Sequence, residues 1–255
     1  MNNFKNGGIS MKKLHALALS MGLMISVAVV PTATSAENTN LPYLNEIKKM
    51  QPDLSTSEII SSINEMAKNT GNTNEAIAKQ IFKELKADEE QGKKDASKKV
   101  NTLGGSGGTV PVGNSSTGNF FYTGSYTAYL NHGHVGMYYS SSQIVESVPR
   151  SGVRTISTKS RLVDKGDAVV KSVKTTSLNK SKAAGWVKSR VGKDGYSYNF
   201  ATNRYTSHYG DKNCSKLIWS AYKLNGGLDL DKNGGAGVYP RDVRDAKQTS
   251  VVRYI

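Results

Sequence analysis

The amino-acid sequence predicts an α+β protein in which an antiparallel sheet packs on helices, with a small helical region ahead of it. Residues 37–100 show apolar residues at helical spacing. Residues 119–255 begin with short segments rich in aromatic and β-branched residues and continue with two helical segments. The stretch between them, residues 101–118, is rich in Gly and Ser and predicts a flexible linker. The chain is therefore divided into a helical region, a linker and one sizeable domain.

Residues 1–36 have the features of a signal peptide. Two lysines precede an apolar run from Leu14 to Val30, and small residues follow up to Ala36. A membrane anchor is the alternative, because the run approaches the shortest length that spans a bilayer. The small residues after the run favour cleavage and secretion. No later segment of the mature chain is apolar enough to span a membrane.

Helices are predicted in residues 37–100. The segment "STSEIISSINEMAKN" opens with Ser55 and Glu58 at the spacing of a capping box and continues with an apolar stripe that includes Ile63. Similar stripes occur in "LPYLNEIKKM" and "NTNEAIAKQIFKELKADEE", and the charged tail from Glu90 onward is expected to fray. These stripes indicate packing. They fit a small bundle, a propeptide or a cap over the main domain.

Strand candidates fill the first half of residues 119–255. They are "FFYTGSYTAYL", "HVGMYY", "QIVESV", "GVRTIST" and "DAVVKSV", with turn residues between several of them. Two helices follow. The first is predicted to have Ser177 as its N-cap and to stop at Gly192, and the second, in "NCSKLIWSAYKLNGG", is closed by Gly226 and Gly227.

The charge of the chain is uneven. The formal net charge is +14, and residues 101–255 carry 21 Lys and Arg against nine Asp and Glu. Outside a cell, a basic domain meets anionic wall polymers or lipid headgroups, which are therefore candidate partners. Nucleic acid is not favoured, because no basic helix is interleaved with aromatic residues. The alternative is a solvated surface with no such partner.

A predicted hairpin brings a histidine to a carboxylate. The segments "HVGMYY" and "QIVES" flank a serine-rich turn, and a turn centred near Ser140 places His134 directly opposite Glu146. Cross-strand neighbours have Cβ atoms roughly 5 Å apart, so the carboxylate would accept an imidazole N–H and stabilise the imidazolium. A turn centre one residue away would put Ile144 or Val148 opposite His134, and the pair is then not expected.

Cys214 is the only cysteine, so the chain cannot form a disulfide within itself. Asn213 is a favourable N-cap, which makes Cys214 the first residue of a predicted helix. The partial positive charge of a helix N-terminus favours thiolate over thiol. An activated thiol and a His–Glu pair are the parts of a cysteine nucleophile system. The alternative is a buried structural cysteine, with His134 exposed and Glu146 solvated.

Several blocks of residues 119–255 resemble one enzyme family. The blocks are "GHVGMYY…IVES", "GVRTIS", "GYSYNF", "NCSKLIWSAYKLNG" and "GLDLDKNGG…VYPRDV". In this order they resemble the circularly permuted papain-like amidases of the YiiX/YaeF/YycO type, which are relatives of the NlpC cell-wall hydrolases. The resemblance implies a papain-like (NlpC-like, circularly permuted) fold in which His precedes Cys. It also implies Cys214 as nucleophile, His134 as base and Glu146 as the third polar residue.

The same resemblance indicates a tyrosine in "GKDGYSYNF" that faces the active site. Tyr196 matches the family position, and its hydroxyl would join the Cys214 backbone N–H in stabilising an oxyanion. Gly195 stands where proline is common in the family, so Tyr198 is the substitute. A core tyrosine without such a role is the remaining alternative.

Other residues give weaker signals. His132 is interpreted as a rim residue beside the site with a candidate substrate-binding role, and His208 as the rival base. The turn Asp229–Asn233 begins like a calcium loop, but the twelfth position is Pro240, so a tight turn is favoured. One Cys and four His show no paired-ligand spacing, so no metal site or cofactor is predicted.

The sequence and the resemblance together predict a secreted cysteine hydrolase that cleaves an amide bond in a peptide crosslink or stem of the cell wall. A lipid acyl hydrolase or acyltransferase is the second enzymatic alternative, and an apolar groove beside Cys214 would favour it. A non-catalytic cell-wall-binding module is the third alternative, and it predicts an unreactive Cys214.

Overall fold

The computed structural model describes residues 40–103, 108–124 and 132–255, with side chains up to residue 97 in the first range. The predicted signal peptide lies outside these ranges. So does the second half of the strand predicted in "FFYTGSYTAYL". No helix in the described ranges combines the length and the apolarity that crossing a bilayer requires.

Helices α1 (Leu44–Met50), α2 (Thr56–Thr70) and α3 (Asn74–Leu103) come first in the described chain. The predicted capping box begins α2: Ser55 Oγ accepts the Glu58 N–H at 3.2 Å, and Glu58 Oε2 accepts the Ser55 N–H at 2.6 Å. The predicted apolar stripe is buried, with Ile63 fully inaccessible to solvent. The helix therefore begins where the local sequence indicates.

The third helix is longer than predicted. Instead of fraying from Glu90 onward, α3 continues to Leu103. Asp95 accepts hydrogen bonds from Gln91 at 2.8 Å and from Arg244 at 2.9 Å. One of these contacts lies along the helix and the other reaches a distant part of the chain. Together they stabilise a polar tail that its own sequence does not show to be stable.

The strands of the main sheet are β2 (Phe120–Thr123), β3 (His134–Tyr138), β4 (Gln143–Val148), β5 (Gly152–Ser157), β7 (Val169–Val173) and β8 (Thr249–Tyr254). In the described residues these six strands form one antiparallel sheet in the order β5-β4-β3-β2-β7-β8. A separate two-stranded ribbon pairs β1 (Thr109–Pro111) with β6 (Leu162–Asp164). The sequence analysis did not predict β1, β6 or β8.

Three further helices accompany the sheet: α4 (Ser177–Arg190), α5 (Cys214–Gly226) and α6 (Pro240–Asp245). Leu217, Ile218 and Ala221 give α5 a fully buried face, and α5 packs against β3 and β4. The N-cap of α4 is Thr176 rather than the predicted Ser177, because the Thr176 hydroxyl accepts the backbone N–H three residues later at 3.2 Å. Helix α5 thus lies next to the strands that carry His134 and Glu146.

The predicted linker, residues 101–118, is corrected at both ends. Its first three residues belong to α3, residues 104–107 lie outside the described part, and the remainder is part of the domain. Strand β1 is hydrogen-bonded to β6, and Val112 is buried with its N–H donating to Arg161 O at 2.8 Å. Gly113 and Gly118 have φ values of 71° and 80°, a conformation that favours glycine. These glycines therefore shape turns in an ordered segment.

The N-terminal helices and the sheet share a hydrophobic core. Ile63, Ile81 and Leu85 belong to the same buried cluster as Leu217 of α5 and Val243 of α6. The described residues between 40 and 255 accordingly belong to one compact unit. The helical region packs on the rest of the chain rather than standing apart from it.

Candidate active site

His134 and Glu146 meet, although the register of their hairpin differs from the prediction. Met137 pairs with Val145, which centres the turn on Ser141, one residue after the predicted centre. In this register Glu146 is a diagonal neighbour of His134, a spacing of about 7–8 Å that long side chains can bridge. His134 Nε2 lies 2.8 Å from Glu146 Oε2. The expectation that a shifted turn would separate the pair is therefore wrong.

Glu146 is fully buried and has two arginine partners besides His134. Arg154 donates to Oε1 from Nε at 3.1 Å and from Nη2 at 2.8 Å, and Arg161 Nε donates to Oε2 at 2.8 Å. Burial alone would raise the pKa of Glu146. The hydrogen bond from His134, its positive charge and the charge of Arg161 outweigh burial and hold this pKa well below its ordinary value. The carboxylate is therefore ionised and fixed in orientation.

Cys214 is the first residue of α5, and the local sequence explains why the helix starts there. The Asn213 side chain accepts the Lys216 N–H at 3.0 Å, as an N-cap does. Asn213 is itself held by Asn203, whose Nδ2 donates to Asn213 Oδ1 at 3.1 Å. The thiol is free and almost completely buried. The helix start is thus rigidly placed, with Cys214 facing the interior.

His134 lies between Cys214 and Glu146. Its Nε2 is bonded to Glu146, which leaves Nδ1 as the ring nitrogen that can interact with Cys214. Burial alone would lower the pKa of His134. The negative charge of a Cys214 thiolate and the hydrogen bond to it, followed by Glu146, outweigh burial and raise this pKa to about 9. At neutral pH the arrangement favours an imidazolium at His134 that is paired with the carboxylate of Glu146 and lies next to Cys214.

Tyr196 is half-buried, and its hydroxyl is buried with no hydrogen-bond partner among the described residues. Burial, followed by negative charge at Cys214 and then at Tyr198, raises the pKa of Tyr196 well above its ordinary value. The hydroxyl is therefore neutral, and it lies close enough to Cys214 for a negative charge there to raise its pKa. The Tyr198 ring packs edge-on against Tyr196, with ring centroids 4.9 Å apart. A phenol without an acceptor can donate a hydrogen bond to a bound group.

His132 does not lie at the rim of the site, where it was predicted. It is only 2% exposed, and its Nδ1 is bonded to Asp88 of α3. Its ring centroid is 4.8 Å from that of Phe200 and 5.2 Å from that of Tyr239. Asp88 is 44 residues away in the chain, so the local sequence gave no sign of this partner. His132 contributes to the packing of α3 on the domain.

His208 does not join the His134–Cys214 pair. Its Nδ1 lies 2.9 Å from Ser220 Oγ, and its ring stacks on Trp219 with centroids 5.2 Å apart. The aspartates of the turn Asp229–Asn233 form ion pairs with Arg204. Within the described ranges, no three His, Cys, Asp or Glu side chains are grouped so that they could hold a metal ion.

Two arginines of the site were missed in the sequence analysis. Arg154 lies directly opposite Glu146 in the β4–β5 ladder, so the register of this hairpin would have revealed an opposite-charge pair. Arg161 follows the next turn and approaches Glu146 only through the fold. Its guanidinium also lies 5.2 Å from the centroid of the Phe121 ring. No pattern in the local sequence predicts this contact.

Comparison with known proteins relates the chain to one family. The profile of the family described as "Permuted papain-like amidase enzyme, YaeF/YiiX, C92 family" matches residues 114–246. The Bacillus subtilis (strain 168) protein YycO is 43% identical over 248 residues, which cover 97% of this chain and 100% of that protein. Among solved structures, the metalloprotein YiiX from Escherichia coli O157:H7 aligns with a TM-score of 0.45 and 20% identity, over 56% of this chain and 98% of YiiX.

An antiparallel sheet packed on helices, with a cysteine at the start of one helix and a histidine on a neighbouring strand, is the arrangement of a papain-like cysteine hydrolase. The profile match spans more than half of the chain. The chain therefore belongs to the permuted papain-like amidase family, as the resemblance implied, and is a cysteine hydrolase of the amidase type.

Proposed function

We propose that the chain is a secreted cysteine amidase that cleaves an amide bond in cell-wall peptide through Cys214, His134 and Glu146. The assignment of the three residues depends on one observation: His134 lies between the Cys214 thiol and a buried, ionised Glu146. The amidase family supports the reaction class. The signal-peptide features of residues 1–36 and the basic charge of residues 101–255 support an extracellular wall substrate.

In the first step of the proposed mechanism, the Cys214 thiolate attacks the carbonyl carbon of the amide. A C–S bond forms, and the carbonyl π electrons move onto the oxygen. The Cys214 backbone N–H, at the first position of α5, has no partner within the helix and is available to this oxyanion. The Tyr196 hydroxyl is the second donor, because it is buried close to Cys214 without an acceptor.

In the second step His134 acts as a general acid and then as a general base. Its Nδ1 proton passes to the leaving nitrogen as the C–N bond breaks, which leaves a thioester on Cys214. Neutral His134 then takes a proton from water while the water oxygen attacks the thioester. The C–S bond breaks, the carboxylic acid leaves, and the thiolate–imidazolium pair is restored. Glu146 stabilises the imidazolium, and Arg154 and Arg161 hold Glu146.

The surface beside Tyr196 favours a polar substrate over a lipid. A cleft of about 370 Å³ is lined by Tyr196 and Tyr198 together with charged residues, serine and glycines. An acyl chain would need an apolar groove, whereas the carbonyl, amide and charged groups of a peptide suit polar walls. This observation supports amide hydrolysis over the lipid alternative.

Cleavage of purified cell-wall fragments tests the proposal. The chain without residues 1–36 is incubated with these fragments, and the products are identified by mass spectrometry as peptides that have gained one water. Cys214→Ala and His134→Ala are expected to abolish cleavage. His208→Ala, which changes the rival base, is expected to retain it. Cleavage by Cys214→Ala would refute the mechanism, and binding without cleavage by the wild type would favour a wall-binding module.

A further inference from the structure

We propose that the cleft beside Tyr196 is a substrate subsite that binds a carboxylate of a peptide through Arg150 and Lys193. The inference rests on the proposed function, because the cleft matters to the reaction only if Cys214 is the nucleophile. It extends that function by naming a chemical feature of the substrate: an anionic group close to the scissile amide.

Two chain segments build the cleft, the turn between β4 and β5 and the loop that follows α4. Backbone contacts hold them together: the Val153 N–H donates to Asp194 O at 2.9 Å, and the Gly192 N–H donates to Val153 O at 3.0 Å. Gly152 has a φ of 61°, and a Cβ atom there would lie 2.4 Å from Asp194 O. Only glycine allows this approach. The cleft is therefore preformed by the backbone, which lowers the entropy lost when a ligand binds.

Tyr196 connects the cleft to the reacting centre. The residue lines the cleft, while its hydroxyl is buried and lacks a hydrogen-bond partner among the described residues. The Lys212 N–H donates to Gly195 O at 3.2 Å, so the backbone next to Tyr196 lies against the segment that leads into Cys214. If the scissile carbonyl of a substrate lies against Cys214 and Tyr196, the groups next to that carbonyl would therefore lie in the cleft.

Among the residues that line the cleft, the uncompensated charge is positive. Arg150 and Lys193 are exposed, and neither forms an ion pair within the described part of the chain. The acidic residue of the lining, Asp194, is buried and already bonded to Lys212, with Arg190 at 3.9 Å. Arg150 also has a φ of 66°, a left-handed backbone conformation that costs energy in a residue other than glycine. The turn thus holds an arginine at the cleft in spite of this cost.

A carboxylate matches these two cations. The guanidinium of Arg150 can donate two parallel hydrogen bonds to carboxylate oxygens, and the ammonium of Lys193 adds a compact positive charge. Acidic side chains and chain ends of a peptide supply such groups. A lipid phosphate has the same charge sign but a different source, and the experiment separates the two.

Iodoacetyl reagents test the subsite without knowledge of the natural substrate. N-iodoacetyl-β-alanine and N-iodoacetyl-γ-aminobutyrate carry a carboxylate at the end of a short chain, and their primary amides are neutral counterparts. The rate of Cys214 alkylation is measured at neutral pH by mass spectrometry of the intact protein. We expect the better carboxylate reagent to react about two- to fivefold faster than its amide, since exposed charge pairs contribute modestly. In Arg150→Gln/Lys193→Gln this ratio is expected to fall to about 1.

A matched control corrects for the general attraction of a basic domain for anions. Lys159→Gln/Lys247→Gln removes the same net charge from exposed lysines outside the cleft and is expected to keep the wild-type ratio. Equal rates for the two reagent types in the wild type, or an equal loss in both double variants, would overturn the subsite. A larger gain for an analogue ending in a phosphate monoester would overturn the peptide assignment in favour of a headgroup. A Cys214 that does not react even with the neutral amides would overturn the proposed nucleophile, and the subsite with it.

Discussion

Glu146→Gln removes one negative charge beside His134 and keeps the size of the side chain. Glu146 is fully buried, and the contact from its Oε2 to His134 Nε2 measures 2.8 Å. A hydrogen bond to a charged group contributes about 1.5–3 kcal/mol, and one pKa unit corresponds to about 1.4 kcal/mol. Because the carboxylate favours the protonated imidazole, its loss is expected to lower the pKa of His134 by about one to two units. The starting value is about 9.

The assay is the rate of Cys214 alkylation by iodoacetamide as a function of pH. In the proposed mechanism the Cys214 thiolate is paired with an imidazolium until His134 loses its proton. The alkylation rate of the wild type is therefore expected to be level at neutral pH and to show an inflection near pH 9. In Glu146→Gln the same inflection is expected at about pH 7 to 8. The exposed Glu65→Gln removes the same charge from α2, where it has no hydrogen bond to His134, and is expected to leave the profile unchanged.

The reasoning fails if the inflection of a folded Glu146→Gln stays where the wild type has it, because Glu146 would then not act on His134. It also fails if the inflection moves to higher pH, since removal of an anion must disfavour the imidazolium. Arg154 and Arg161 lose their carboxylate in this variant. Its circular dichroism and thermal unfolding are therefore recorded alongside the alkylation rates.

Three further predictions concern activity and stability. Tyr196→Phe is expected to lower kcat/KM for amide hydrolysis about 10²-fold. The Tm should stay unchanged, because the Tyr196 hydroxyl has no partner in the described structure. A large drop in Tm would indicate a structural role instead. Asp88→Asn breaks the buried ion pair with Arg241 and is expected to reduce the free energy of unfolding in urea by about 3–5 kcal/mol. The partly exposed Glu89→Gln should change it by less than about 1 kcal/mol. Burial raises the pKa of Asp242 to about 7. Below this pH the folded state holds a proton that the unfolded state has already lost, so stability declines as the pH rises towards 7. Asp242→Asn should flatten this decline, measured as Tm against pH.

Features that depend on neighbouring residues could be predicted from the sequence. The capping box of Ser55 and Glu58 starts α2, and Asn213 caps the helix that begins with Cys214. Gly227 ends that helix with a φ of 65°. In each case the side chain or the glycine acts within four residues of its own position, so the sequence contains the whole interaction.

Features that depend on distant partners could not be predicted in this way. The carboxylate that bonds His132 comes from α3, and the same carboxylate binds Arg241 near the C-terminus. The tail of α3 is stabilised by Arg244, and the segment predicted as a linker is ordered by pairing with β6. Composition suggested fraying for the tail of α3 and flexibility for the linker, because composition shows only that these segments lack stabilising residues of their own. The stabilising contacts come from other elements, and their positions are fixed by the fold.

The His134–Glu146 contact shows which part of a hairpin prediction determines the chemistry. A shift of the turn centre by one residue moves the directly opposite residue by two, so the side chains that face His134 stay on the same face of the sheet. Glu146 remains within reach as a diagonal neighbour. Arg154, directly opposite on β5, and Arg161 bind the carboxylate from its other sides and fix its orientation. The contact therefore tolerates an error of one residue in the turn centre, because it depends on the face that the side chains share and on the length of Glu146.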